Sequence, residues 1–392
     1  MAKLLLSCDE YIYSVNGKFY AANESRKEFL CRYLRVFDCV KYVLRCIEEP
    51  ELKPGRALME DNRIDFVPVP IFHGPIQYAK NYFKVRRSVE NVVNGCDAAI
   101  LRLPSTVAQL ISGDVLKSRI PYAVEVVFDA KDGADTSESI LEKILWKIIH
   151  QKMTMLCHKA DGVSCVTEKY LQQRYFSKKA NHFTSHYSTL ALDKFFCTSP
   201  RQFPEKEILT IAHVDMQLEL NGRKGTRQVI DALSLLKSRD IFVNVVFAGE
   251  DRGNSKNNIM EYAVSVGVGK QVSCPGFLSR IELGTLLDNS DLFVLPTKAE
   301  GLPRVIIEAM AKGLPVVTTP ASGNPELIGE EYLVDYKDVE GMAQKIAELV
   351  TSKEVYERAS QNNYNKSLEY APDILQNRRD NFYSELLKLC NS

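Results

Sequence analysis

The sequence predicts an α/β protein built from two doubly wound domains that face each other across a cleft. Three observations predict it. Buried-strand runs alternate with helical patterns along the whole chain, which is the signature of parallel sheets with helical crossovers. The alternation pauses once, at residues 196–207, FCTSPRQFPEKE, a polar stretch with two prolines that reads as a linker. The 392 residues are long for one core and comfortable for two. The expected domains are residues 1–198, joined by a returning helix over 372–392, and residues 199–371.

The elements follow in order. KLLLSC, Lys3–Cys8, reads as a buried strand followed by a loop at Asn16-Gly17. Phe29, Leu30, Tyr33, Leu34, Phe37 and Val40 recur at helical spacing and predict a helix. DAAILRL and YAVEVVF read as further buried strands, and residues 137–158 as a long amphipathic helix starting near Ser137. DGVSCVT is a short strand whose Thr167 can cap the next helix. The second alternation is ILTIAH, a helix after Gly225, FVNVVFAGE, a helix near 255–266, DLFVLPT, a helix carrying Glu308, and PVVTT. Two such domains are Rossmann-like, and open sheets of this kind bind ligands at the carboxyl ends of their strands.

Composition excludes some classes. Formal net charge is zero, so no bulk field recruits nucleic acid. Residues 1–198 nevertheless carry net +5 and residues 199–392 net −5, a polarity that arises by chance or suits an anionic surface near the first half. No apolar run approaches a membrane span or a signal peptide. The ten cysteines include no C-x-x-C pair and read as small core residues of a cytoplasmic protein. The six histidines are scattered, and no metal-ligand set is expected. YAKNYFKVRR, residues 78–87, mixes aromatics with Lys80, Lys84, Arg86 and Arg87. It reads either as a solvated amphipathic helix or as a peripheral contact with an anionic membrane.

Four stretches carry chemistry. In KAEGLPRVIIEAM, Glu300 and Glu308 bracket a Gly-Leu-Pro turn and the start of an apolar helix. Pro303 in the first turn costs no hydrogen bond. The first turn then presents free N–H groups and the positive end of the helix dipole, an anion site. Gly301 lets a ligand approach the backbone, and ionised carboxylates suit vicinal hydroxyls. Glu308 reads either as a solvated helix residue or as a ligand for such hydroxyls. In NGRKGTRQVIDAL, Arg223 and Lys224 stand before a helix N-terminus, where cations are poorly placed unless an anion lies between them. They are phosphate binders or exposed loop cations. FAGEDRG offers Gly249 in a loop at a strand end. In VEVVFDAKD, Glu125 and Asp129 share a strand face roughly 13 Å apart, too far for a dyad. Asp129 is placed at the cleft and Glu125 as a buried, paired residue. Arg102 either reaches the cleft or pairs with an acid such as Glu125.

KAEGLPRVIIEAMAKGLPVVTTPASGNPELIG, with its seven-residue spacing between glutamates, resembles the signature block of retaining glycosyltransferases of family four, and GRKGTRQVIDAL resembles that family's Lys-Gly segment. RLPS and PYAVEVVFDAKD are similar to segments of members that assemble capsular polysaccharide, O-antigen or exopolysaccharide. The resemblance implies the GT-B arrangement, with acceptor binding in the first domain and donor binding in the second. It implies transfer of a sugar from a UDP- or GDP-sugar to a saccharide acceptor, lipid-linked in those members, with no required cofactor. It implies that Lys224 neutralises the diphosphate, that Glu308 holds the ribose, and that Glu300 with the Gly301–Leu302 backbone contacts the donor sugar. Arg223 or His213 supplies a second diphosphate contact. Asp129 stands where the family places an acceptor-side histidine, near Arg102, and is expected to act with Lys224 and Glu300 as a catalytic residue by orienting the acceptor hydroxyl; a donor-touching glycine loop falls near Gly17. Two other readings stay open: a noncatalytic nucleotide-sugar-binding partner in a biosynthetic complex, and a nucleotide-sugar epimerase or hydrolase on the same fold. No G-x-G-x-x-G follows an early strand, which argues against a nicotinamide dehydrogenase.

Overall fold

A computed structural model describes residues 1–392 except 73, 138, 191, 193–195, 197 and 391–392, and leaves undescribed the side chains of 74–76 and 79. The first half contains strands β1 (Lys3–Val15), β2 (Lys18–Ala21), β3 (Cys39–Glu48), β4 (Ala57–Leu58), β5 (Ile64–Pro70), β6 (Ala98–Leu103), β7 (Tyr122–Val126), β8 (Gly162–Cys165) and β9 (Phe183–His186). Its helices are α1 (Glu24–Cys31), α2 (Gly74–Ser88), α3 (Thr106–Ser118), α4 (Ala130–Thr136) and α5 (Ile140–Lys159). The second half contains β10 (Leu209–Leu218), β11 (Val243–Asp251), β12 (Val272–Gly276), β13 (Leu292–Leu295) and β14 (Val316–Thr318). Its helices are α6 (Thr226–Ser238), α7 (Ser255–Ser265), α8 (Arg280–Asn289), α9 (Arg304–Ala311), α10 (Val339–Thr351), α11 (Lys353–Ser367) and α12 (Pro372–Cys390).

The second sheet is parallel throughout, in the order β12-β11-β10-β13-β14. Chain order therefore reverses between β10 and β13, and a crevice opens there at the carboxyl ends of the strands. The first sheet has the same logic: β5-β3-β1-β6-β7-β8-β9 pair in parallel, reversing between β1 and β6. Leu4, Leu5 and Leu6 are all fully buried because helices cover both faces of a parallel sheet.

Several sequence expectations change. Val40 does not continue the first helix but lies in β3, an unanticipated strand. The expected helix over 137–158 is α5, which starts at Ile140 rather than near Ser137 and runs to Lys159, and a separate short helix, α4, precedes it; residue 138 lies outside the described residues. β1 runs on to Val15, and Asn16 and Gly17 both take positive φ as a two-residue hairpin turn into β2. The expected linker is partly a docked strap, since Arg201 donates to the carbonyls of Leu287, Ser290 and Lys312; its Cys197 lies outside the described residues.

The terminal helix α12 returns to the first sheet, as expected, and the last two residues of the chain, 391 and 392, lie outside the described ones. Tyr383 stacks on Tyr33 with ring centroids 4.9 Å apart. Its hydroxyl donates to Glu125 Oε1 at 2.7 Å, beside the Tyr187 hydroxyl at 2.9 Å. On the other oxygen, Oε2, the Tyr33 hydroxyl lies at 2.9 Å, with Arg32 at 3.5 Å and Arg102 at 3.7 Å. Burial works against the Glu125 charge, but Arg32, Arg102 and the tyrosine donors hold its carboxyl below the usual range. Arg379 adds a bond to the Ser188 carbonyl at 2.7 Å. The nine described cysteines are free thiols. Among the described residues, no helix is long and apolar enough to cross a membrane.

Candidate active site

The two strongest sequence motifs meet at the β10/β13 crevice. The loop after β10 carries Arg223-Lys224-Gly225, and the loop after β13 carries Lys298 to Leu302. They are stitched by the Lys298 N–H donating to the Arg223 carbonyl at 2.9 Å. Gly225 is required twice over: its φ is +73°, and a Cβ there would lie 2.3 Å from the Pro296 carbonyl oxygen. That close approach sets Lys224 beside the second loop, where its ammonium contacts Glu300 Oε1. Lys224 is only 9% exposed, so this is a fixed charge in a largely desolvated place.

Neither α6 nor α9, which start from these loops, has a side-chain cap; α7 also lacks one, whereas α8 is closed by the Ser279–Glu282 capping box. Pro303 sits at the N-cap of α9, one position earlier than expected; the Ile306 N–H turns back to the Pro303 carbonyl at 3.2 Å, while the Arg304 and Val305 N–H groups have no hydrogen-bond partner among the described residues. Glu308 lies one turn inside α9 and is 6% exposed; Arg280, from the start of α8, reaches its Oε1 at 3.3 Å. The carboxylate among apolar neighbours is thus buried and paired rather than solvated. Burial raises the Asp215 carboxyl above its usual range, against the pull of Lys224 and Arg223.

Two donor-side expectations, His213 and Gly249, are corrected by the geometry. His213 is fully buried, because β10 continues to Leu218 instead of ending there. Its Nδ1 pairs with the Val294 carbonyl at 2.9 Å and its Nε2 faces Thr226 Oγ1 at 3.5 Å. Burial pushes its pKa down to about 4, so it stands neutral and inside the sheet. Gly249 lies within β11, where a Cβ would meet the Asp215 carbonyl oxygen at 2.5 Å; it serves strand packing rather than a loop. Gly17 belongs to the exposed hairpin turn, with nothing within 4 Å of a Cβ there. Arg223 is exposed at the crevice and remains the candidate second cation.

On the first-domain side, Asp129 is fully buried rather than open to the cleft. It caps α4 through the Lys131 N–H at 2.8 Å, accepts the Tyr175 hydroxyl at 2.7 Å, and contacts Arg174. Arg102 is turned to Glu125 and lies over the Phe29 ring, so it takes the pairing role. The carboxylate that does reach across is Asp132, in the first turn of α4. Its Oδ2 accepts the Ser322 hydroxyl at 2.5 Å, and Ser322 Oγ in turn accepts the Glu300 N–H at 3.0 Å. The Tyr170 hydroxyl holds the other Asp132 oxygen at 2.9 Å. Burial raises the Asp132 carboxyl, with the nearby Asp129 charge adding to it and the Ser322 bond opposing.

Two further contacts join the halves. A Cβ on Gly301 would lie 2.2 Å from the Val127 carbonyl oxygen, so only glycine permits this approach. Glu326 accepts the backbone N–H groups of Glu168, Lys169 and Tyr170 at 2.5, 3.0 and 2.6 Å. Sequence reasoning missed Asp132, Ser322 and Glu326 because the partner of each in the other half lies more than 150 residues away. Leu302 is 8% exposed and packs beside Gly323.

The profile of the family Glycosyl transferases group 1 matches residues 216–366. The chain is 24% identical over 99% of its length, and 97% of the relative's, to Protein CapJ of Staphylococcus aureus. It is 31% identical, over 38% of each chain, to the putative colanic acid biosynthesis glycosyltransferase WcaL of Escherichia coli K12. Among solved structures it is similar to sucrose-phosphate synthase from Thermosynechococcus elongatus, with TM-score 0.71, 14% identity and coverage of 99% and 100%. Anabaena HepE, solved in complex with UDP and glucose, superposes with TM-score 0.67 at 15% identity, covering 98% of this chain and 100% of that one. These likenesses show a shared fold, the GT-B arrangement.

Proposed function

We infer that this chain, whose residues 216–366 match the profile of the glycosyl transferases group 1 family, moves a sugar from a nucleotide-diphosphate sugar to a hydroxyl of a saccharide acceptor, with retention at the anomeric carbon. The observation that carries the reading is the meeting of Lys224, Glu300 and two uncapped helix N-termini at one topological switch point.

Breaking the glycosidic bond to the donor leaves charge on the departing diphosphate while the sugar becomes oxocarbenium-like. A buried lysine and two helix ends stabilise that charge where it develops, in a place already low in dielectric. These groups perform the neutralisation a divalent cation would otherwise supply, and the reading is metal-independent on that ground. Glu300 contacts the lysine; an arriving diphosphate takes Lys224, and Glu300 turns to the donor sugar's hydroxyls. Glu308, gripped by Arg280, accepts the ribose hydroxyls. The acceptor oxygen attacks from the side of the leaving group, its proton passes to a donor phosphate oxygen, and no covalent enzyme intermediate is needed. Asp129 has no part in this scheme, since its oxygens are committed elsewhere.

The name of WcaL, a putative colanic acid biosynthesis glycosyltransferase, supports a role in polysaccharide assembly, which we place at the cell surface with a lipid-linked acceptor. Another relative is a galactosyltransferase acting on a diphosphoundecaprenol-linked sugar, 24% identical over 54% of this chain. Donor choice between UDP- and GDP-sugars is tested by donor consumption with a panel of nucleotide sugars and a lipid-linked acceptor. Nucleotide binding without turnover on any acceptor would instead favour a noncatalytic partner, and donor conversion without acceptor an epimerase or hydrolase.

A further inference from the structure

We propose that the outer faces of α5 and α2 seat the protein on an anionic lipid surface, an inference that rests on the acceptor being lipid-linked. The observation lies on α5. Ile140, Leu141, Ile144 and Ile148 are 76%, 60%, 52% and 54% exposed. Steps of one, four and eight residues put them on one side of the helix. The opposite side, with Ile149, Met153 and Leu156, is packed into the first domain. α5 is therefore apolar on two faces, and among the described residues only the inner one is packed against the rest of the chain. Singly exposed aliphatic residues need no explanation, but four on one face form a patch.

Charge says what covers it. Lys143 and Lys147 flank the patch, both exposed, and neither forms an ion pair among the described residues. On α2, Phe83 is 85% and Tyr82 42% exposed, between Lys80, Lys84 and Arg87, which are exposed and likewise unpaired among the described residues. Arg86 of the same helix is withdrawn, because it forms an ion pair with Asp114 of α3 at 2.6 Å. That pair, with the Lys152 ammonium on the Gln109 carbonyl at 2.7 Å, ties α2, α3 and α5 side by side on one flank of the first sheet. Five unpaired cations thus border aliphatic and aromatic side chains on one flank. A symmetric second copy laid on this flank would bring like charges together. Anionic headgroups would neutralise them while the apolar side chains enter the acyl boundary.

The placement suits the reaction. Helices that follow parallel strands begin at the strands' carboxyl edge, so Ile140 and Leu141 stand at the cleft rim. α4, whose Asp132 holds Ser322, packs on α5 so closely that a Cβ on Gly133 would lie 2.8 Å from the Trp146 ring. A sugar anchored in the bilayer would meet the cleft from the same side.

The test is co-sedimentation of the full chain with vesicles of phosphatidylcholine alone and of equal parts phosphatidylcholine and phosphatidylglycerol, at low and high salt. The wild type should pellet with the anionic vesicles only, and less at high salt. Ile144→Asp/Ile148→Asp and Lys143→Glu/Lys147→Glu should each lower partitioning at least about tenfold. Calorimetric titration with a nucleoside diphosphate should be unchanged in both variants. Absence of pelleting, or variants that pellet like the wild type, would overturn the proposal. So would a dimer in sedimentation velocity that the isoleucine variant dissolves. A wild type that binds vesicles but no nucleotide would sustain this inference and remove the donor-site reading instead.

Discussion

On the proposed function, Lys224 carries more of the chemistry than any other side chain, and its replacement is the sharpest single-residue prediction. Lys224→Ala should lower kcat/KM for donor by roughly 2–4 kcal/mol of transition-state stabilisation, the scale of losing one preorganised charge donor. Glu308→Ala should fall in the same range, and unchanged turnover in both would reject the assignment. His213 makes a different prediction, because its imidazole is buried and neutral with a pKa pushed down to about 4. Below the ordinary histidine value of about 6.5 the unfolded chain takes up a proton that the folded chain refuses. Stability should therefore fall as pH drops from about 6.5 towards about 4, by about 3 kcal/mol from this residue. Denaturant melts of His213→Gln over that window should be flatter than the wild type's; parallel curves would contradict this prediction. At this scale the sequence was readable where a motif is local. Lys224, Glu300 and Glu308 lie in contiguous stretches whose turn, spacing and flanking strand carry their own meaning. His213 was misread because strand length depends on pairing with β11, whose register past Val214 shifts at a bulge.

Among the elements, the turn into α6 decides whether the two loops meet. Gly225→Ala places a Cβ against the Pro296 carbonyl in a left-handed backbone, and should destabilise the fold by at least about 2 kcal/mol. A melting curve indistinguishable from the wild type's would show that the loop relaxes freely. The strands and helices of the second half were legible because buried parallel strands read as continuous apolar runs. The first half was less so. β3, CVKYVLRCIE, interleaves polar and apolar residues and carries no turn signal at its start. Asn16-Gly17 reads equally as a loop or a hairpin until the neighbouring strands are known. Asp129 illustrates the limit: the sequence placed it at a strand end, but β7 stops at Val126, and helix α4 begins right after Asp129 and uses the carboxylate as its cap.

For the whole molecule, the two sheets are held by contacts that no local pattern announces. Glu326 closes three backbone donors of the other half, Ser322 bridges Asp132 to Glu300, and Gly301 abuts Val127. On the proposed function, the contacts that join the halves also hold the loop carrying Glu300, so the donor site depends on the halves being together. Glu326→Ala should enlarge the radius of gyration of the unliganded chain in small-angle scattering, and an unchanged curve would show that this cap does not hold the halves together. The returning helix was readable from its own amphipathic pattern, but its purpose was not, since Glu125 needs Tyr383 from the far end of the chain. Tyr383→Phe removes one charge-assisted bond from a buried carboxylate and should cost about 2 kcal/mol of stability. The central claim is most directly tested by a crystal structure of the chain soaked with a nucleoside diphosphate. The account predicts the terminal phosphate between the Lys224 ammonium and the first turn of α9, Glu300 released from the lysine, and the ribose on Glu308. A nucleotide bound elsewhere, with Lys224 still on Glu300, would contradict it.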